Sequence, residues 1–451
     1  MKKRGASTAA VIGTLIVGLL IGAGITYAAA PSLGLSSTVT STVGGGTVTT
    51  TAAGGGLCNG QTITIGALND LSGALSAQGK GDLAAEQLAI ADVNAYLKSS
   101  GCNLTFQLSA NDYKLDTPTA LSQLQAMNAA GVHVVVGPLN SGTAAGILSY
   151  ANSNHIVLIS PSSTSTAVAI PNDYLFRTAP SDAAQGQAIA REIINLGAQG
   201  AILINRDDTY GNGLANATKS FLMTDGMTAS NIKGPYKYDI ATTDFSALIT
   251  QIAADWASLS GQLGADHVVI QAVTFQEIGT LLQQASQSNP ALLNTPLPWV
   301  GSDGQAQNSV LTNSTVGPFM AQVTLPSTLF TTSNNSKTIE FFNRIKGTAP
   351  GAAILGGGVF YTFEGYDDVW LAALAILSAG SNDGASIHAV FPAVAANFYG
   401  LTGWEGLDAN GDRIPGNYQI WKVVQQSNVY VWVLAGTWDY SSDTVTWTSP
   451  P

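Results

Sequence analysis

Residues 137–166 read GPLNSGTAAGILSYANSNHIVLISPSSTST. A Val-rich run, 132–136, precedes them, and an apolar run, 156–159, lies inside them. Both runs are short and rich in β-branched residues, which predicts buried strands, and each ends in a loop of Gly, Ser and Thr. The first loop opens onto a helical pattern. Strand, loop, helix, strand, loop is the repeating unit of a parallel α/β sheet. Both loops follow the carboxyl ends of strands, the edge where open α/β sheets bind ligands. They offer hydroxyls and backbone N–H groups but no nucleophile paired with a base. That chemistry holds a small polar molecule and does not transform one.

The same alternation extends in both directions. Strands are predicted over 62–68 and 104–110, with helices over 80–99 and 118–130. After FRTAP (176–180) the cycle restarts. Helices over 182–196, 212–225, 245–263 and 275–286 alternate with strands over 201–205, 232–238, 267–271 and 297–300. Helices near 337–345 and 365–379 follow, and the end of the chain (418–424, 429–434, 445–447) is strand-rich. Two α/β lobes with right-handed crossovers fit this pattern and the length of 451 residues.

Composition narrows the class. Charged residues make up 10% of the chain, against about a quarter in ordinary soluble proteins. The net charge of −11 with 17 Lys+Arg argues against a nucleic-acid partner. The low-charge, amide- and hydroxyl-rich surface suits an exterior of variable or low pH. No G-x-S-x-G, Walker or dinucleotide motif is present, so neither an enzyme nor a cofactor is expected. The four histidines (His133, His155, His267, His388) show no metal spacing. Asp408, Asn410 and Asp412 mimic a calcium loop, but Arg413 and Gln419 stand where Gly and Glu are needed, so a hairpin turn is expected and no metal.

Lys2, Lys3 and Arg4 precede an uncharged apolar run, 7–30. It is long for a signal sequence and enough to span a bilayer. Residues 1–30 are therefore a signal sequence, cut near Ala28–Ala30, or a membrane anchor. A third possibility is that the basic start followed by GAS (5–7) resembles the archaeal pilin-like signal, cut ahead of the apolar run, which points to an archaeal source. Residues 31–56 form an uncharged Ser/Thr/Gly/Val tract, expected as a flexible stalk. Together these suggest a protein displayed on the extracellular face of the membrane. Sequons at Asn103, Asn216, Asn313 and Asn334 are candidate glycosylation sites. The two cysteines, Cys58 and Cys102, lie just ahead of the first two predicted strands. If those strands are parallel neighbours, both thiols share one end of the sheet and a disulfide is expected outside the cell; otherwise they are two separate thiols. The bond would close a loop of about 45 residues, worth about 4 kcal/mol in the chain-entropy account.

The segments IGALNDLSGALSAQG (65–79), VVGPLNSG (135–142), LISPSSTS (158–165), YLFRTAPSD (174–182), DDTYGNGL (207–214), DFSALI (244–249), WVGSDG (299–304) and FEGYDD (363–368) carry a further signal through their order and spacing. From about residue 61 to 447 the chain resembles the type I solute-binding proteins of ABC transporters, branched-chain amino acid class. The resemblance implies two doubly wound parallel-sheet lobes joined by a three-strand hinge. An N-terminal lobe would comprise 57–179 plus 326–400, and a C-terminal lobe 180–325 plus 401–451. The implied function is an extracytoplasmic receptor that closes over an amino-acid-like solute and delivers it to a membrane permease. A sensory or amide/urea-type receptor without transport is the alternative.

The resemblance also transfers site residues. Ser141 is similar to the serine that receives a ligand carboxylate. Ser162 and Thr164 look like the pair offering a backbone group and a hydroxyl. Tyr210 and Phe275, or Thr274 beside it, would line the cleft from the second lobe, and Asp303 would hold an α-ammonium. Gln78 stands where a branched-chain binder has an aromatic over the ligand side chain, which tilts the expectation toward a more polar solute.

Overall fold

The computed structural model describes residues 56–331 and 335–451 in full, and 38–43 and 46–51 as backbone. Within the tract expected as a stalk, β1 (Thr38–Val43) and β2 (Gly46–Thr51) pair as an antiparallel hairpin. Their alternating Thr and Val favour strand, and the Ser/Thr/Gly composition concealed this. The segment expected as signal or anchor, 1–30, lies outside the described residues. Among those described, no helix is long and apolar enough to cross a membrane.

The first lobe contains β3 (Thr62–Asn69), α1 (Ser76–Ser99), β4 (Thr105–Asp112), α2 (Thr117–Ala129), β5 (Val134–Val136), α3 (Ser141–Ser153), β6 (Val157–Ser160) and β7 (Leu175–Pro180). The second lobe contains α4 (Asp182–Asn195), β8 (Gly200–Arg206), α5 (Thr209–Thr224), β9 (Ile232–Tyr238), α6 (Ser246–Leu263), β10 (Val268–Val273), α7 (Ile278–Ser288), β11 (Trp299–Val300) and α8 (Gly317–Val323). The chain then runs through β12 (Ser327–Phe330) to α9 (Ser336–Ile345), α10 (Ala349–Gly356), α11 (Val359–Ala379), α12 (Gly384–Ala396) and β13 (Asp412–Arg413). It ends in β14 (Tyr418–Gln426), β15 (Val429–Asp439) and β16 (Thr444–Trp447).

The first sheet has the order β13-β7-β6-β5-β3-β4 and the second β11-β10-β8-β9. Both are parallel throughout. Strands β5 and β6 are buried along their whole length, as expected where helices cover both faces. Ile63, Ile65, Val134, Val136 and Ile159 face α1, α11 and α12, whereas Leu68, Val135 and Leu158 face α2 and α3. A third, antiparallel sheet, β12-β14-β15-β16, brings Val423, Tyr430 and Trp432 against the second lobe's core.

Three segments cross between the lobes: after β7, after β12, and between β13 and β14. The last crossing differs from the expectation near Leu401. Asp412 and Arg413 still pair with β7 in the first sheet, because Asp412 is tied to buried Arg177 at 2.5 Å. The Asp408 carboxylate accepts the N–H groups of Asn410 and Asp412, closing the expected turn. Helices α1, α5 and α11 start earlier than their sequence pattern suggests. Gly79 and Gly81 weaken the pattern of α1, yet an added Cβ at Gly79 would stand 2.0 Å from the Asp70 carbonyl oxygen. The glycines serve close packing, not helix termination. Helix α11 starts at Val359 rather than near 365.

Cys58 and Cys102 are disulfide-bonded, 44 residues apart in sequence. They sit at the amino ends of the parallel neighbours β3 and β4, the sheet edge opposite the carboxyl-end loops. Reduction is expected to lower the melting temperature without weakening solute binding. Two free thiols in unreduced, denatured protein would refute the bond.

The first lobe's interior is rich in acid. Asp82, Glu86, Glu364, Asp367, Asp368 and Glu405 are at most 1% exposed. The cation they reach is Arg413, which contacts Glu364 and lies 2.9 Å from Glu405. Oxygens of Glu364, Asp367 and Glu405 cluster closely enough to hold a metal ion, but the guanidinium already supplies the positive charge there. A single guanidinium does not offset six desolvated carboxylates. Burial pushes Glu86 up to about 8 and Asp367 up to about 7. A carboxyl whose folded pKa is raised stabilises fully below its unfolded value and loses that contribution as pH climbs to the folded value, about 1.4 kcal/mol per pKa unit. Relative to wild type, Glu86→Gln should therefore gain melting temperature as pH rises from about 4.5 to about 8. A pH-independent difference would exclude a buried neutral Glu86.

Candidate functional site

The carboxyl-end loops of the two parallel sheets face each other across a small cavity. From the first lobe, β5 ends at Gly137, whose φ of 97° and approach to the Leu68 carbonyl exclude a side chain. The turn delivers Ser141 to the first position of α3. The Ser141 hydroxyl oxygen accepts the N–H groups of Thr164 and Ser165, each at 3.1 Å. Its own proton is therefore left to donate into the cavity. The first turn of α3 adds unpaired N–H groups and a positive dipole end. This corner suits an anion.

The opposite wall comes from the second lobe. Asp208 caps α5 by accepting the Gly211 N–H at 2.8 Å, which places Tyr210 in the first turn. Phe275 lies in the loop after β10, ahead of α7, and not in a helix as expected. Tyr210 stacks on one side of it at 5.2 Å, and the Arg206 guanidinium lies 3.8 Å from its ring centre. Arg206 is neutralised by Asp208 at 2.5 Å and Glu277 at 2.6 Å. Asp303 follows β11. It accepts from the Tyr210 hydroxyl at 2.5 Å, from Gly304 N–H at 2.9 Å and from the Tyr361 hydroxyl.

Burial pushes the Asp303 carboxyl above its usual range, and these donors hold it back. Asp182 opens α4 just beyond the β7 crossing and is fully buried. The Thr164 hydroxyl lowers the cost of its charge a little, yet neither oxygen has a hydrogen-bond partner. Burial first and the neighbouring Asp303 second push Asp182 well above the carboxylate range. Among the described residues, no lysine or arginine lines the cavity. Asp303 thus lines a cleft that supplies no cation, with Asp182 buried near it and only slightly relieved by Arg177.

Six of the seven residues expected at the site, Gln78, Ser141, Ser162, Tyr210, Phe275 and Asp303, line this one cavity. Thr164 does not. It stands behind Ser141, buried, with its hydroxyl unpartnered. The lobes meet through Ser165 Oγ donating to the Thr209 carbonyl at 2.9 Å and, at the cavity, through the Tyr361–Asp303 bond.

Leu75, Leu139, Asn140, Gly304 and Tyr361 also line the cavity and were not anticipated. Tyr361 stands two residues before FEGYDD, in the part of α11 that the helical pattern missed. Asp182 ends YLFRTAPSD, where nothing local distinguishes it from a helix-capping aspartate. Asn103, Asn216 and Asn313 are exposed. Thr218 of the second sequon is fully buried. Asn313 Oδ1 already accepts the Thr315 and Val316 N–H groups. Asn334 lies outside the described residues.

A family model described as periplasmic binding protein matches residues 62–428. An uncharacterized protein of Methanocaldococcus jannaschii is 29% identical over 405 residues, covering 85% of this chain and 91% of that one. The fold is shared with the leucine-binding protein of Thermotoga maritima, with a TM-score of 0.66 and 20% identity over 82% of this chain and 97% of that one. It is shared as well with a Streptococcus pneumoniae branched-chain amino acid transporter substrate-binding protein in complex with isoleucine, with a TM-score of 0.61 and 23% identity over 83% and 100%.

Proposed function

Because this chain belongs to the periplasmic binding protein family, we propose that it is an extracytoplasmic receptor for an α-amino-acid-like solute. One observation carries the reading: buried Asp303, with buried Asp182 near it, lines a cavity that no lysine or arginine among the described residues enters, opposite a corner of hydroxyl and N–H donors. The solute's ammonium would meet Asp303 and lower the cost of burying it and Asp182. Its carboxylate would meet the Ser141 hydroxyl, the start of α3 and the Thr164 segment behind them. Tyr210 and Tyr361 hold Asp303 in place, and Phe275 with Leu75 and Leu139 forms the apolar wall. Closure selects the solute-bound form, which would dock on the permease of an ABC importer. The apolar segment at 7–30 would keep the receptor at the outer face of the membrane. Two neighbours of the same fold are described by their leucine and isoleucine ligands, which favours an amino acid here.

A thermal-shift screen over amino acids, amides, urea and small carboxylates would find the solute. A ligand at 100 times its dissociation constant should stabilise the fold by about 2.7 kcal/mol. Calorimetric titration of Asp303→Ala should then show a loss of roughly 2–5 kcal/mol, or about 30- to 5,000-fold in affinity, because an ammonium would be buried unpaired. Unchanged affinity for an α-amino acid would remove Asp303 from the site and favour a neutral amide as the solute.

A further inference from the structure

The orientation of the Gln78 amide is decided by its neighbours. Ser162 Oγ lies 2.8 Å from the Leu139 carbonyl oxygen. That oxygen only accepts, so Ser162 commits its single proton there. The Gln78 atom 2.7 Å from Ser162 Oγ must then be a donor, which makes it Nε2. Turning the amide over would set two acceptors against each other. The second Nε2 proton goes to Asp82 Oδ2 at 3.2 Å. Asp82 sits four residues on along α1, fully buried, and accepts this bond in either protonation state. Both Gln78 donors are spent inside the first lobe. Its carbonyl Oε1 accepts nothing among the described residues, is not sealed within the protein, and belongs to a side chain lining the cavity.

We propose that the Ser162–Gln78–Asp82 chain presents the Gln78 carbonyl as a fixed hydrogen-bond acceptor in the cavity wall. The solute would then carry a neutral donor, a hydroxyl or an amide N–H, where leucine carries methyl groups. This rests on the amino-acid reading of the site and deepens it. An apolar side chain would close the cleft over an unpaired carbonyl, which is costly, whereas a hydroxyl or amide would pair with it. Asp82 acts as a positioning residue: it touches no solute but removes the rotation that would let Gln78 adapt.

Matched pairs of nearly equal shape test this: threonine against valine and asparagine against leucine, titrated calorimetrically into the full chain. At least one polar member should bind roughly ten- to a hundredfold tighter than its apolar partner. Gln78→Met should bring that ratio close to one. Asp82→Asn, which keeps an acceptor for Nε2, should preserve the ratio, and Asp82→Ala should reduce it several-fold. A purely structural role for Asp82 would change absolute affinity and melting temperature but not the ratio. Valine and leucine binding within threefold of their polar partners to wild type would overturn the acceptor while leaving the receptor reading intact. An unchanged ratio in Gln78→Met would overturn it as well, and no binding of any amino acid would overturn both. The wild-type pairs decide the matter even if a variant does not fold.

Discussion

Arg177 is the constraint on which the rest of this structure depends. Its guanidinium is fully buried and uses its donors in two directions. Toward the hinge it grips Asp412 through two nitrogens, which holds β13 in the first sheet and delays the last crossing. Toward the cleft it donates to the carbonyls of Ser163 and Ser165 at 3.0 and 2.8 Å. The loop so fixed supplies the two N–H groups that hold Ser141. A planar, always-charged fork suits this task better than a lysine's point charge. Hinge and binding loop are therefore set by one side chain, and a fault in either would be felt in the other.

The second organising feature is an imbalance of charge. Proteins seldom bury acids without partners, because an unpaired carboxylate is costly to desolvate. Here such acids occur in two settings. Those around Arg413 sit in the first lobe's interior, where burial raises their carboxyls above the usual range. Asp303 lines the cleft with Asp182 near it, on the side where the proposed solute would bring its ammonium. The same physics thus raises the carboxyls of the core in one place and those of the cleft in the other.

Gln78 illustrates how a binding site diverges on a shared scaffold. The sequence shows an amide where an aromatic is expected, and this tilts the solute toward polarity. Which end of the amide faces the solute depends on the Leu139 carbonyl, the Ser162 hydroxyl and the Asp82 carboxylate. They lie up to 84 residues from Gln78 along the chain, and no local pattern links them.

Much of the fold is written locally. Short β-branched runs alternating with helical patterns imply parallel sheets, because burial on both faces leaves no other use for such strands. Small-residue loops after strands mark the binding edge, and the cysteine positions relative to two strands foretell their bond. These are properties of neighbours in sequence, or of elements whose pairing is forced by crossover handedness. The tertiary structure alone decided the early starts of α1 and α11, because glycines needed for close packing and apolar residues buried on all sides blur the helical period. It also decided the place of β13, the retreat of Thr164 behind Ser141, and the convergence of Tyr361 and Asp182 on Asp303. Each depends on what a side chain meets across the fold, and desolvation and hydrogen bonding between distant segments have no signature in the order of residues.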